Sequence, residues 1–227
     1  MASISVIIPT LNAADDIGPA LVSISSLDGL AMIREVIFSD GGSSDDIHNI
    51  AQECGAALIV TEPGRGGQLQ AGAAVAKGEW LLFLHADTAL EAGWERALNT
   101  FMRDHSDKVG YFRFALNDSG LMPRLLECLV AFRCRLLALP YGDQALFISR
   151  AVYDQVGGYG LIPLMEDVEF VRRLGRGRLR LIDKKAVTSA SRYKADGYCR
   201  RMVRNFCCLT LYWFGMPPAR IKRLYGS

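Results

Sequence analysis

Along the N-terminal half of the chain, short β-branched runs alternate with segments of helical spacing. Ser3 to Ile8 predicts a first strand, ended by Pro9. Asp15 to Ser26 places Ile17, Leu21 and Ile24 on one helical face. Glu35 to Ser39 predicts a second strand. Asp45 to Cys54 predicts a helix capped by Ser43 or Ser44. Ala57 to Thr61 predicts a third strand, and Gly67 to Lys77, rich in small residues, a helix. Trp80 to Leu84 is apolar throughout and predicts a central strand buried on both faces. This β-α-β-α-β-α-β series gives a parallel sheet with helices on both faces. Beyond it, Ala92 to Arg103 predicts a helix, Val109 to Leu116 a strand, Pro123 to Leu139 an amphipathic helix and Ala145 to Ser149 a further strand. No repeat, low-complexity tract or clear interdomain linker interrupts the series.

Composition narrows the class. The chain has 227 residues, 50% hydrophobic and 22% charged, as in a globular protein with a sizeable core. Its six cysteines form no CxxC pair, so they read as free thiols in a reducing compartment rather than a zinc or redox site. The N-terminus lacks the pattern of a secretory signal, and the apolar run from Phe206 to Pro218 is too short to span a bilayer. These features predict a cytoplasmic protein. The net charge of +2 hides an asymmetry: residues 172–227 hold 15 Lys or Arg against two acids, and residues 1–171 hold 11 against 22. The tail therefore suits an anionic partner, or pairs with the acidic body.

Four segments carry candidate chemistry. Trp80–Leu84 delivers Asp87 to the carboxyl edge of the sheet, where open α/β sheets bind ligands; a carboxylate there can hold a divalent cation or cap the next helix. Asp40-Gly41-Gly42-Ser43-Ser44-Asp45 follows a strand and opens a helix, so its backbone can approach an anionic ligand closely and Asp40 can accept bonds from a base or ribose. Gly64-Arg65-Gly66-Gly67-Gln68 reads as a flexible loop that lets Arg65 reach a phosphate. It matches neither GxGxxG after the first strand nor GxxxxGK[ST], which excludes a dinucleotide-binding dehydrogenase and a P-loop enzyme. Glu166-Asp167 opens a helix, where one carboxylate can act as a general base or simply complement the helix dipole.

The order and content of these segments, with Ser5-Val6-Ile7-Ile8-Pro9-Thr10-Leu11-Asn12 at the start, resemble the family 2 glycosyltransferases from Ser3 to about Leu174. The resemblance implies the GT-A nucleotide-diphospho-sugar transferase fold: α/β, with a mostly parallel central sheet, helices on both faces and a C-terminal helical tail. It divides the chain into a GT-A domain over residues 1–190 and a basic helical extension over 191–227. Pro140-Tyr141-Gly142-Asp143-Gln144 and Pro218 to Tyr225 further resemble a small bacterial subfamily often labelled for arsenosugar biosynthesis.

The resemblance implies a role for each matching residue. Pro9, Thr10, Asn12, Asp40, Arg65, Gly66, Gln68 and Ala86 bind the nucleotide, with Asp40 on the base. Asp87 matches the last Asp of the family's DxD and binds Mn²⁺ or Mg²⁺ on the diphosphate; His85 replaces the first acid and leaves the second metal ligand open. Asp167 is the general base, with Glu166 beside it. Gly142, Asp143, Gln144 and Arg192 face the acceptor. The activity expected is inverting transfer of a sugar from a UDP- or GDP-sugar to a small-molecule or lipid-linked acceptor.

Rival readings are weaker. A nucleotidylyltransferase would carry a Gly-rich loop where Pro9–Asn12 stands. A non-catalytic nucleotide-sugar-binding or regulatory protein has only His85 in its favour. No base-stacking motif supports nucleic-acid binding. In the tail, Met202, Phe206, Leu209 and Trp213 share one helical face, which packs on the core, forms a homodimer seam or makes peripheral contact with the inner face of an anionic membrane.

Overall fold

The computed structural model describes residues 3–225. Strand β1 (Ile4–Thr10) leads to helices α1 (Gly18–Ile24) and α2 (Leu27–Met32), strand β2 (Ile33–Asp40), helix α3 (Ile47–Glu53), strand β3 (Ala57–Val60), helix α4 (Arg65–Val75) and strand β4 (Trp80–Phe83). There follow β5 (Thr88–Leu90), α5 (Trp94–Asp104), β6 (Val109–Leu116), α6 (Leu121–Leu137), a 3₁₀ turn at Gly142–Gln144, β7 (Leu146–Ser149), α7 (Arg150–Gln155) and α8 (Glu166–Leu174). A second 3₁₀ turn at Arg176–Arg178 precedes β8 (Leu179–Thr188), and the tail forms α9 (Ser191–Asp196), α10 (Tyr198–Trp213) and α11 (Pro218–Tyr225).

All eight strands join one sheet, in the order β3-β2-β1-β4-β7-β6-β8-β5. The four strands of the N-terminal alternation pair in parallel, which the short helical crossovers enforce. β7 runs antiparallel to β4 and β6, and β5 antiparallel to β8. β6 and β8 are parallel, so six of the eight strands point one way. Ile7, Leu81, Phe83 and Ile148 face one packed layer, and Val6, Phe38, Leu82 and Phe147 the other. Burying each such side chain contributes about 1.5–3 kcal/mol. A third, smaller cluster joins Phe114 and Leu116 of β6 to Leu126, Val130 and Cys134 of α6.

Several elements differ from the sequence expectation. Pro9 lies inside β1 rather than ending it. The carbonyl of Ile7 accepts from the Leu84 amide, so the Pro9 nitrogen, two residues on, faces the same flank, past the last β1–β4 pair. Its missing N–H therefore costs no ladder bond. Neither Ser43 nor Ser44 caps α3, which begins only at Ile47. Ser43 bonds to Asp40 instead, and the Ser44 amide donates to Asn12 Oδ1. The Gly64–Gln68 segment is not a flexible loop: α4 starts at Arg65. That helix lies hard on β1, where a Cβ at Gly72 would stand 2.5 Å from Ile7 Cγ2. The tail face is also rotated. In α10, Cys208 is buried and Leu209 and Tyr212 pack on the core, whereas Phe206 is 69% exposed and Trp213 49% exposed. All six cysteines are free thiols.

Candidate functional site

The carboxyl ends of the parallel strands bring distant residues together. The β1 and β2 tips interlock through side chains. Asp40 is fully buried and accepts bonds from Thr10 Oγ1 at 3.0 Å, from the Gly42 and Ser43 amides at 3.0 and 2.8 Å, and from Ser43 Oγ at 2.5 Å. Burial opposes its ionisation, but these donors and His48 outweigh it and hold the carboxyl below its usual range. Gln68, from α4, donates to the carbonyls of Thr10 and Ser39 and so joins the helix to both strand tips. Asn12 takes a positive φ of 49° and bridges to the Ser44 amide at 2.9 Å.

A second constellation lies next to it. Arg65, the first residue of α4, donates to Asp167 Oδ2 at 2.6 Å, and its Nε lies 3.3 Å from Glu166 Oε1. Both carboxylates stand in the first turn of α8, entered through Met165 at φ 67°. Gly142 donates its amide to the same Asp167 Oδ2 at 3.0 Å. A Cβ at Gly142 would meet Arg65 Nη2 at 1.9 Å and His85 Nε2 at 2.6 Å, so only glycine admits this convergence. Gln144, buried, is held away from the centre: it donates to the Phe112 carbonyl at 3.1 Å and accepts from Cys134. Four polar side-chain atoms around Gly142 are buried with no hydrogen-bond partner: Arg65 Nε, His85 Nε2, Asp143 Oδ1 and Asp167 Oδ1.

The electrostatics follow from crowding. Burial lowers the His85 pKa well below the usual imidazole range, and Arg65 and Arg192 push the same way, so the ring is neutral near pH 7. Burial raises the Asp143 carboxyl to about 6, against the pull of Arg133 and Arg65. Burial likewise raises Glu166; Arg65 offsets part of this and Asp167 adds to it. Burial works against the Arg65 charge, but Asp167 and Glu166 more than compensate and raise its pKa.

Two adjoining cavities open on these groups. One, of about 370 Å³, is lined by Pro9, Thr10, Gln68 and Ala86, with Lys222 of α11 on its wall. The other, of about 350 Å³, is lined by Asp143, Glu166, Asp167, Thr188 and the inner side of α10 through Arg201, Asn205 and Cys208. Arg65, His85, Asp87, Pro163 and Arg192 line both, so the cavities meet at the β4 tip. Of the residues singled out from sequence, Asp40 lies beneath the first cavity and Asn12 beside it, and Gly142 lies between the two, where Arg65, His85 and Asp167 meet. Lys222 and Thr188 were missed. Their only signal was membership of the basic tail and of a charged stretch without clear period.

Asp87 is the carboxylate at the junction, with its Oδ1 3.9 Å from His85 Nδ1. Among the described residues, no group of three or more His, Cys, Asp or Glu is arranged to hold a metal ion. One carboxylate and a neutral imidazole do not make a protein cage. They do fit a hard cation that arrives on a diphosphate, since such ions take one or two carboxylates and complete their shell with phosphate and water oxygens.

Comparison with known proteins identifies the family and the fold. Residues 5–158 match the family described as Glycosyl transferase family 2. A PGL/p-HBAD biosynthesis glycosyltransferase of Mycobacterium tuberculosis is 38% identical over 174 residues, which cover 69% of this chain and 63% of the relative. A glucosyl-3-phosphoglycerate synthase of Mycolicibacterium paratuberculosis is 36% identical over 95 residues, 37% of this chain and 28% of the relative. The chain thus spans less than two thirds of either. Among solved structures, S. aureus TarS 1-349 in complex with UDP-GlcNAc superposes with a TM-score of 0.64 at 17% identity, covering 91% of this chain and 66% of that one. The M. tuberculosis glucosyl-3-phosphoglycerate synthase in complex with Mn²⁺, UDP and glucosyl-3-phosphoglycerate gives 0.57 at 20% identity, covering 95% and 81%. These structures carry the fold, that of the GT-A glycosyltransferases.

Proposed function

The chain belongs to glycosyl transferase family 2, and we propose that it moves a sugar from a nucleotide-diphosphate sugar to an acceptor hydroxyl, with inversion at the anomeric carbon and Asp167 as general base. The observation that carries this reading is the meeting of two cavities at Arg65, His85, Asp87 and Arg192, with Asp167 on the wall of the second. The cavity of Pro9, Thr10 and Ala86 takes the nucleoside, and that of Asp143 and Asp167 takes the acceptor.

The division of labour at Asp167 supports its role. Oδ2 is held by Arg65 and the Gly142 amide, which fix the plane of the carboxylate, while Oδ1 has no partner. Oδ1 accepts the acceptor's hydroxyl proton as that oxygen bonds to the anomeric carbon. The bond from that carbon to the diphosphate oxygen breaks on the opposite face, and the diphosphate leaves with the electron pair. Arg65, Arg192 and Lys222 surround the space where that negative charge grows, the arrangement that stabilises a departing anion. Both reactants held across one short junction supply much of the remaining rate. Asp87, with His85 beside it, would hold Mn²⁺ or Mg²⁺ on the diphosphate, and such an ion supplies Lewis-acid stabilisation of the leaving group. Asp40 stays with the nucleoside end, where its five bonds brace the β1 tip that forms part of the wall.

The test is Asp167→Asn. It retains shape and one acceptor oxygen but cannot take the proton. Turnover, measured as nucleoside diphosphate released in the presence of acceptor, should fall at least about 10²-fold. Donor affinity by calorimetry should stay within about threefold. Near-normal turnover would remove Asp167 from the role. Donor binding with no transfer in wild type over a broad acceptor panel would favour the non-catalytic binding protein.

A further inference from the structure

Helix α6 is apolar on both sides. Its inner face, Leu126, Val130 and Cys134, packs on β6 in the third core cluster. On the opposite side, at helical spacing, Leu121, Leu125, Leu129, Phe132 and Leu136 are 44–79% exposed. An apolar stripe of this length belongs against an interior, yet α6 turns it outward along its 17 residues. Neighbouring α10 repeats the pattern: Val203 and Phe206 are 62% and 69% exposed, and Phe214 just after it 87%. An apolar area of this extent on the surface of one chain marks an interaction face.

The charge around it selects the occupant. The outward side of α6 carries Arg124 and Arg135, and its one acid, Glu127, is already paired with Arg124. Helices α10 and α11 contain no acid and six basic residues; Arg201 and Arg204 pair with Asp196 and Lys222 lines the first cavity, while Arg200, Arg220 and Arg223 are exposed. A second copy docked through the same face would set this positive charge against itself. An anionic lipid surface would neutralise it while the apolar stripe enters the headgroup and acyl boundary. No described helix is long and apolar enough to cross a membrane, so the contact lies in the plane of the surface.

We propose that the outward faces of α6 and α10 form a docking surface for an anionic membrane. The inner side of α10 lines the cavity of Asp143 and Asp167, so docking would set that cavity one helix away from the lipid. The proposal does not depend on the assignment of the base, and the experiment reads binding rather than turnover.

The full chain would be sedimented with vesicles of phosphatidylcholine alone and of phosphatidylcholine with phosphatidylglycerol in equal parts. Binding is expected to the mixed vesicles, to fall with added salt, and to be weak on phosphatidylcholine. The double variant Leu129→Ser, Phe132→Ser should lower partitioning by roughly tenfold or more with an unchanged melting temperature, because both side chains already lie in solvent. Arg200→Gln, Arg223→Gln should lower it only on the anionic vesicles. Absence of binding to the mixed vesicles, or binding indifferent to the α6 variant, would overturn the proposal. A lipid-free dimer in analytical ultracentrifugation that the α6 variant dissolves would also overturn it, since a second copy would then cover the face.

Discussion

At the scale of single residues, the site depends on one position without a side chain. Gly142 lets Arg65, His85 and Asp167 converge from three separate elements, and the crowding displaces the titration of the next residue. The Asp143 carboxyl titrates near 3.8 in the unfolded chain and at about 6 in the folded one. The folded state therefore prefers the protonated acid. Its stabilising contribution is complete below about pH 4 and is lost as pH rises through about 6. Asp143→Asn, neutral throughout, should match wild type in urea unfolding below about pH 4. Above about pH 7 it should be the more stable by about 3 kcal/mol, from the shift of roughly two pKa units. Equal stability at both ends would mean that Arg133 and Arg65 fully compensate the buried charge. Much of this scale was legible beforehand: Asp87 follows an apolar run, and Glu166-Asp167 opens a helix. The clamp of Arg65 on Asp167 was not, because the partners are 102 residues apart and no local pattern encodes their meeting.

At the scale of elements, local rules and packing compete, and α4 is a clean case. Helix propensity alone would favour alanine over Gly72 by about 1 kcal/mol. The new methyl group would meet Ile7 Cγ2 at 2.5 Å, and Ile7 lies in a fully buried strand that cannot yield. Overpacking of that kind costs about 1–3 kcal/mol. Gly72→Ala should therefore destabilise by about 1–2 kcal/mol in chemical denaturation; a gain would show that β1 and α4 can separate. The same competition explains which elements sequence patterns revealed. Strands buried on both faces announce themselves as apolar runs, as β1 and β4 do. β8 does not: its run Leu179–Thr188 carries Arg180, Asp183, Lys184 and Lys185, and a register shift against β6 breaks its alternation. β5 has three residues, too few for any period. In α10, periodicity identified a helix, but its partners decided which side turned inward, and Phe206 went to solvent.

At the scale of the molecule, one continuous sheet carries both cavities, with that of Pro9 and Thr10 on the parallel half and that of Asp167 beyond β4. A ligand bound only by the folded chain stabilises it by mass action. Under the proposed function, a nucleoside diphosphate at a hundredfold its Kd should raise the melting temperature by roughly 5–10 °C. Omitting Mn²⁺ and Mg²⁺, or substituting Asp87→Ala, should remove most of the rise. A panel of uridine and guanosine diphosphates in thermal melts reads the base preference directly, and a full shift in Asp87→Ala would separate Asp87 from the ion.

Arg65 has a further consequence. It is the cation of the Asp167 clamp and also part of the wall of both cavities. A single charge cannot serve two anions at full strength, so what fills one cavity changes the terms of binding in the other. Under the proposed function, a diphosphate drawing on Arg65 would loosen its hold on Asp167, and the same coupling runs in reverse with equal free energy. On that reading the two cavities do not fill independently: seating the leaving group frees the carboxylate that faces the acceptor.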